Sequence, residues 1–372
     1  MSATRLNVTW PLPGDILNRH DGTVTPQGLL VPVRGTAPRD ATVSVACESG
    51  PEKSGPVQAI RAGDCFEAYV PLLGRRNDIL VTTEQERISL PVLWDRDSQP
   101  RYRFSIDDNI LFLKDLAFSE YRSLFDHWYL AFWRQMSRRY GTKVHFNIYY
   151  QADESVSPGG QFRLPQLPDR FKGEWRDNAD WLRLTFHARQ NKPDRPYKDA
   201  GYEEMARDFE AVTGEIARFA GEEVLSPFTT VHWAEATREG VRALRDRGIR
   251  GLIGLFAQRQ SVPHTRYYLD EATADHIASR DYWWDPEMDM LFVGCDAVVN
   301  SLALGEVSPR LDEIGESAHT AELIELLIHE QYFRRELSIY QPDVQKKVVR
   351  SLEWASARGY KPVFWGQGFI GA

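Results

Sequence analysis

Residues 101–109 read Arg-Tyr-Arg-Phe-Ser-Ile-Asp-Asp-Asn, and this stretch decides how the rest of the chain is read. Arg101–Ile106 has the texture of a strand, and it stops on two adjacent carboxylates, Asp107 and Asp108. Just upstream, Asp95-Arg-Asp-Ser-Gln-Pro100 is a polar linker. Residues 1–98 show little helical periodicity. Short β-branched runs are punctuated by Gly, Pro, Asp and Asn about every 8–12 residues, the rhythm of a small all-β sandwich-like domain.

From residue 99 to 372 the texture changes. Strand-like runs at 101–106, 143–149, 181–186, 251–256, 291–299, 326–329 and 361–365 alternate with amphipathic helical stretches at 121–140, 202–219, 236–248, 320–325 and 345–358. Repeated βα order predicts an α/β domain with a largely parallel sheet, open or closed into a barrel. Residues 151–177 form a long Pro/Gly-containing loop.

Composition narrows the function classes. The 372 residues are 42% hydrophobic and 26% charged, as in ordinary globular proteins, and the net charge of −8 disfavours nucleic acid or an anionic membrane as partner. Three cysteines, Cys47, Cys65 and Cys295, have no metal-ligand spacing and read as reduced and buried. The first residues carry no leader-like pattern and no apolar run is long enough to cross a bilayer, which predicts a cytoplasmic protein.

The polar residues are informative through their position. In parallel α/β sheets ligands bind at the carboxyl ends of strands. Asp107-Asp108 follows RYRFSI, His187 follows WLRLTF, His232 follows VLSPFTTV, and His329-Glu330 follows ELLI. A lone Asp after a strand most often caps a helix, and a lone His is most often simply hydrogen-bonded. His127, His145, His264, His276 and His319 are read that way. Four strand ends delivering acids or imidazoles to one rim point instead to one shared site. Adjacent carboxylates repel, and a cation beside one of them resolves the repulsion while leaving the other free as a base. One carboxylate and two further ligands leave an open position, as catalytic zinc requires. Asn191, four residues after His187, and His232 compete for the third ligand position.

These motifs resemble the polysaccharide deacetylase (NodB-homology) family, whose domain is a distorted (β/α) barrel. The likeness covers roughly residues 101–366 and lies in FSIDDN (104–109), HARQN (187–191), the stretch 226–254, LLIHE (326–330) and the closing unit 345–365. It implies Asp107 as general base, Asp108 and His187 with Asn191 or His232 as ligands of one divalent metal ion, most simply zinc, and His329 as general acid with Glu330 tuning it. Trp175 and Trp233 are candidate sugar-stacking residues, and the resemblance adds Trp283 and Trp284 beside the substrate. The implied activity is metal-dependent hydrolysis of acetyl groups from an N- or O-acetylated carbohydrate. The chain departs from the family pattern at Asn109 for a usual Gly, at Asn191 for the second His, and at Leu225-Ser226-Pro227, where no Arg is present to hold the base. Those departures admit two other readings: a glycosidase, lyase or epimerase on the same barrel, or a non-catalytic sugar-binding protein.

Overall fold

The computed structural model describes residues 5–155, 157, 160–256 and 265–372. His264 therefore lies outside the described residues. The chain divides into two compact units: the chain up to Ser98 with Tyr282–Asp289 and Ala372, and Gln99–Asp281 with Met290–Gly371.

The first unit is built of two sheets. One runs Asn7–Trp10, Gly28–Thr36, Cys65–Leu72, Ile60–Ala62; the other runs Ile16–Leu17, Arg87–Trp94, Arg76–Thr82, Ser44–Ser49, Glu52–Lys53. Side chains alternate along Cys65–Leu72, so Phe66, Ala68, Val70 and Leu72 are buried while the residues between them are less so. Val31 sits opposite Val70 and Ile79 opposite Cys47, and these inward residues share one apolar core. None of the three cysteines forms a disulfide. Cys47 and Cys295 are buried as anticipated, but Cys65 is exposed because it opens its strand on the outward phase. Burial pushes the Cys47 thiol up to about 12.

Tyr282–Asp289 belongs to this unit. The main-chain N–H of Trp284 donates to Gly14 O at 3.0 Å, the Trp283 indole donates to Pro13 O at 2.9 Å, and Arg76 lies 4.6 Å over the Trp284 ring. Gly14 has φ +84°, and a Cβ there would meet Trp284 O at 2.2 Å, so only glycine permits this approach.

In the second unit the main strands pair in parallel. One sheet has the order Leu182–Ala188, Val144–Tyr149, Arg101–Asn109, Leu323–His329, Ala297–Val298, with Lys361–Pro362 also pairing Arg101–Asn109. A second parallel set comprises Phe228–Thr229, Gly251–Gly254 and Met290–Gly294. The parallel strands thus form two sheets, with an isolated parallel bridge between Leu184 and Leu225. Arg101–Asn109 is central and buried throughout. Its buried Arg103 forms a two-pronged ion pair with buried Glu325, 2.8 and 2.5 Å, and Trp365 donates to the same carboxylate at 2.9 Å.

The helix Tyr202–Phe219 keeps the span its periodicity predicts, with Met205, Phe209, Val212, Ile216 and Phe219 buried. Other expectations shift. The stretch 121–140 is not one helix. A 3₁₀ turn at Leu124–Asp126 is closed by a Ser123–Asp126 capping box, and Trp128–Tyr140 starts anew with His127 as its cap. The expected helix at 320–325 is absent, and strand Leu323–His329 begins there because Arg101–Asn109 pairs with it from Leu323 onward. The loop 151–177 contains a two-stranded ribbon and the helix Lys172–Asp177. Helices Leu111–Phe118, Glu271–Arg280 and Val307–Ile314 have no counterpart in the sequence reading.

Candidate metal centre and active site

Two consecutive strand residues normally point to opposite faces. Asp107 and Asp108 escape this rule. The register of Arg101–Asn109 against Val144–Tyr149 slips between Ile106 and Asn109, and Asp108 adopts φ +61°. A bulge of this kind re-aims side chains, and Asp is among the few non-glycine residues that tolerate left-handed backbone. Both carboxylates line one cavity of ≈340 Å³ with His187, His232 and His329.

Asp108, His187 and His232 converge tightly. His187 Nε2 is 3.1 Å from Asp108 Oδ1, His232 Nδ1 is 3.2 Å from His187 Nε2, and His232 Nδ1 is 3.5 Å from Asp108 Oδ1. The other nitrogen of each ring is committed. His187 Nδ1 donates to the Thr230 carbonyl at 2.5 Å and His232 Nε2 donates to the Asn191 carbonyl at 3.1 Å. A carbonyl only accepts, so these bonds set the tautomers and, in neutral rings, turn a lone pair inward. A single proton can sit between only two of the three inward atoms. A metal ion serves all three. Ligand bonds of about 2.0–2.1 Å set tetrahedral donor separations of roughly 3.3 Å, close to those seen here. Without an ion, burial disfavours the Asp108 carboxylate, but His187, His329 and His232 outweigh burial and hold it below the usual range. Burial lowers His232 to about 4, which keeps it a neutral ligand.

Asp107 stands beside this triad. Asn147 donates to its carboxylate and also reaches Ser105 Oγ at 2.9 Å, while Thr229 donates to Asn147 Oδ1 at 3.4 Å. Asn147 thus holds the carboxylate for which no Arg is available. Burial pushes Asp107 above the usual carboxylate range, against the pull of His187 and His329. His329 is paired in register with Asp107 and donates through Nδ1 to Asn300 Oδ1 at 2.9 Å.

The remaining candidates separate. Asn191 is not on a helix, because strand Leu182–Ala188 runs into a loop, so its four-residue spacing from His187 has no helical meaning. It lines the cavity, lends its main-chain carbonyl to His232, and accepts from the Tyr149 hydroxyl at 3.3 Å. Glu330 is turned away from the cavity. Its carboxylate accepts from the N–H groups of Ile110, Leu111 and Phe112 at 2.9, 2.9 and 2.7 Å, at the start of a helix with no side-chain cap of its own. Burial raises it to about 7, opposed by Arg334 and those three donors. Trp233 lines the cavity, as does Tyr332. Trp175 does not: it is 1% exposed and packs against Phe112 and Phe219. Trp283 and Trp284 are occupied in the first unit, as described above. Tyr149, Asn147 and Asn300 were missed. The strand-end rule reaches Tyr149, but a tyrosine there reads as core.

No protein-family model matches the chain, and no curated protein matches it. Among solved structures, a 4-alpha-glucanotransferase from Thermococcus litoralis aligns at 9% identity over 71% of this chain and 38% of its own, with a TM-score of 0.46. A CE4 family pseudoenzyme from Bacillus anthracis aligns at 10% identity over 71% of this chain and 63% of its own, TM-score 0.31. A Streptococcus mutans CE4 esterase aligns at 10% identity over 71% and 84%, TM-score 0.33. The chain spans less than two thirds of the first two proteins. Likenesses at this level establish no family membership.

Proposed function

We propose that this chain is a metal-dependent hydrolase that removes acetyl groups from an N- or O-acetylated carbohydrate, working on a distorted (β/α) barrel. The observation that carries this reading is the convergence of Asp108, His187 and His232 beside an independent carboxylate, Asp107, in one cavity. Two neutral imidazoles and a carboxylate suit zinc. A divalent ion held there would supply Lewis acidity, polarising the acyl carbonyl and easing loss of a proton from the attacking water.

The protein's own groups do the rest. Asp107, raised by burial and fixed by Asn147, accepts the water proton as the oxygen adds to the carbonyl carbon. His329, oriented by Asn300, returns a proton from Nε2 to the departing amine or sugar oxygen as the C–N or C–O bond breaks. Acetate and a free amine or hydroxyl result. The half-buried Trp233 and the neighbouring Tyr332 offer aromatic faces on which a pyranose ring can rest. Elemental analysis of purified protein, followed by acetate release from a panel of N- and O-acetylated sugars, tests the reading. The expected outcome is about one divalent metal per chain and metal-dependent release on at least one sugar class. Full activity in metal-free protein would falsify it.

A further inference from the structure

Beneath the three ligand side chains lies a fourth group that no motif led to. Tyr149 ends the strand Val144–Tyr149 and is 0% exposed. Its ring packs against both imidazoles, with centroids 5.1 Å from His187 and 5.3 Å from His232. Its hydroxyl touches Asp108 Oδ1 and lies 3.0 Å from His232 Nδ1, the same two atoms that the metal reading assigns as donors. It is also 3.3 Å from Asn191 Oδ1.

The hydrogen bonds around the phenol leave its oxygen placed to serve an ion as well. A phenol has one proton to give. Here three acceptors face it: a carboxylate oxygen, an imidazole nitrogen whose partner nitrogen is committed to the Asn191 carbonyl, and an amide oxygen. One O–H serves one of them; Asp108 Oδ1 also has His187 Nε2 at 3.1 Å and Asn191 Oδ1 also accepts from Gln331 at 3.5 Å, so the phenol oxygen keeps its lone pairs pointed into a cluster of donor atoms. With an ion among the donors, the phenol oxygen becomes a further lone pair directed at the charge.

We infer that the Tyr149 oxygen is a fourth protein donor to the ion held by Asp108, His187 and His232, an assignment that rests on the metal reading proposed above. Asp108, His187 and His232 line the cavity, whereas fully buried Tyr149 approaches from beneath them. A catalytic centre with this fourth donor would need a further open position, which would lie on the cavity side of the three ligands.

The test uses the whole chain and its Tyr149→Phe variant, which removes one oxygen and keeps the ring. Each is stripped of metal and titrated with Zn²⁺, then separately loaded with one equivalent of Fe³⁺. Iron(III) bound to a tyrosine oxygen, whose proton passes to solvent, shows a visible ring-to-metal charge-transfer band that a merely hydrogen-bonded tyrosine does not give. The assignment expects that band in the wild type and its loss in Tyr149→Phe, with Zn²⁺ binding weakened by ~10-fold or more. A colourless iron(III) wild type overturns it, and so does a Tyr149→Phe variant that keeps the band. The wild-type spectrum decides even if the variant folds poorly. If neither protein takes up Zn²⁺ or Fe³⁺, the metal reading itself fails and the assignment falls with it.

Discussion

A strand continued straight through Asp107 and Asp108 would send one carboxylate to each face of the sheet. The left-handed turn at Asp108 brings them to one cavity, and it also separates their roles. Asp108 lies within reach of two imidazoles, whereas Asp107 is held by a neutral amide. Two substitutions test that division. Asp108→Asn keeps a side chain that tolerates φ +61° and should fold normally while losing bound metal. Asp107→Asn should keep the metal and lose turnover by ~100-fold or more, the scale of a general base. Metal content and acetate release measured on both variants check the assignment, and equal metal loss in the two would overturn it.

Among the elements, the helix Leu111–Phe118 and the turn Glu330–Phe333 depend on one another. The helix starts directly behind the two aspartates and brings no capping side chain. Its first N–H groups are satisfied from the far end of the chain by Glu330. A glutamate beside a candidate acid invites a catalytic reading, but this carboxylate is fully buried and its donors are main-chain amides. Glu330→Ala should therefore cost about 3 kcal/mol of stability by stranding buried donors. Activity per folded molecule should fall far less than the ~100-fold expected for an acid–base residue. Denaturant unfolding and activity corrected for the folded fraction distinguish the two. The ion pair Arg103–Glu325 is another such tie between central strands, and it lets Arg103 remain buried, while buried Arg101 donates to the carbonyls of Ile370 and Gln99.

For the molecule as a whole, the site residues all belong to the unit Gln99–Asp281 with Met290–Gly371. An ion that binds only the folded site stabilises that unit by about 2.7 kcal/mol when present at ~100 times its dissociation constant. Chelation should lower the thermal midpoint of that unit by several degrees and leave the transition of the first unit, which has its own core, unmoved. Calorimetry with and without chelator reads this directly, and a scan unchanged by chelation would count against a resident metal. No helix among the described residues is long and apolar enough to cross a membrane.

Much of this is written in local pattern. Alternation and apolar clustering mark the main parallel strands, helical periodicity marks Tyr202–Phe219, and the strand-end rule selects Asp107, Asp108, His187, His232, His329 and Glu330, of which all but Glu330 line one cavity. These features depend on neighbours within a few residues, so a linear reading reaches them. The choice between Asn191 and His232, the placement of Tyr149 and Asn147, the turning of Glu330 away from the cavity and the removal of Trp283 and Trp284 to the other unit do not. Asp108 and His187 are 79 residues apart, and His187 and His232 are 45 apart. Whether such atoms come within 3.5 Å is set by strand register, a one-residue bulge and the path of the intervening loops. Those are properties of packing, and only the tertiary structure decides them.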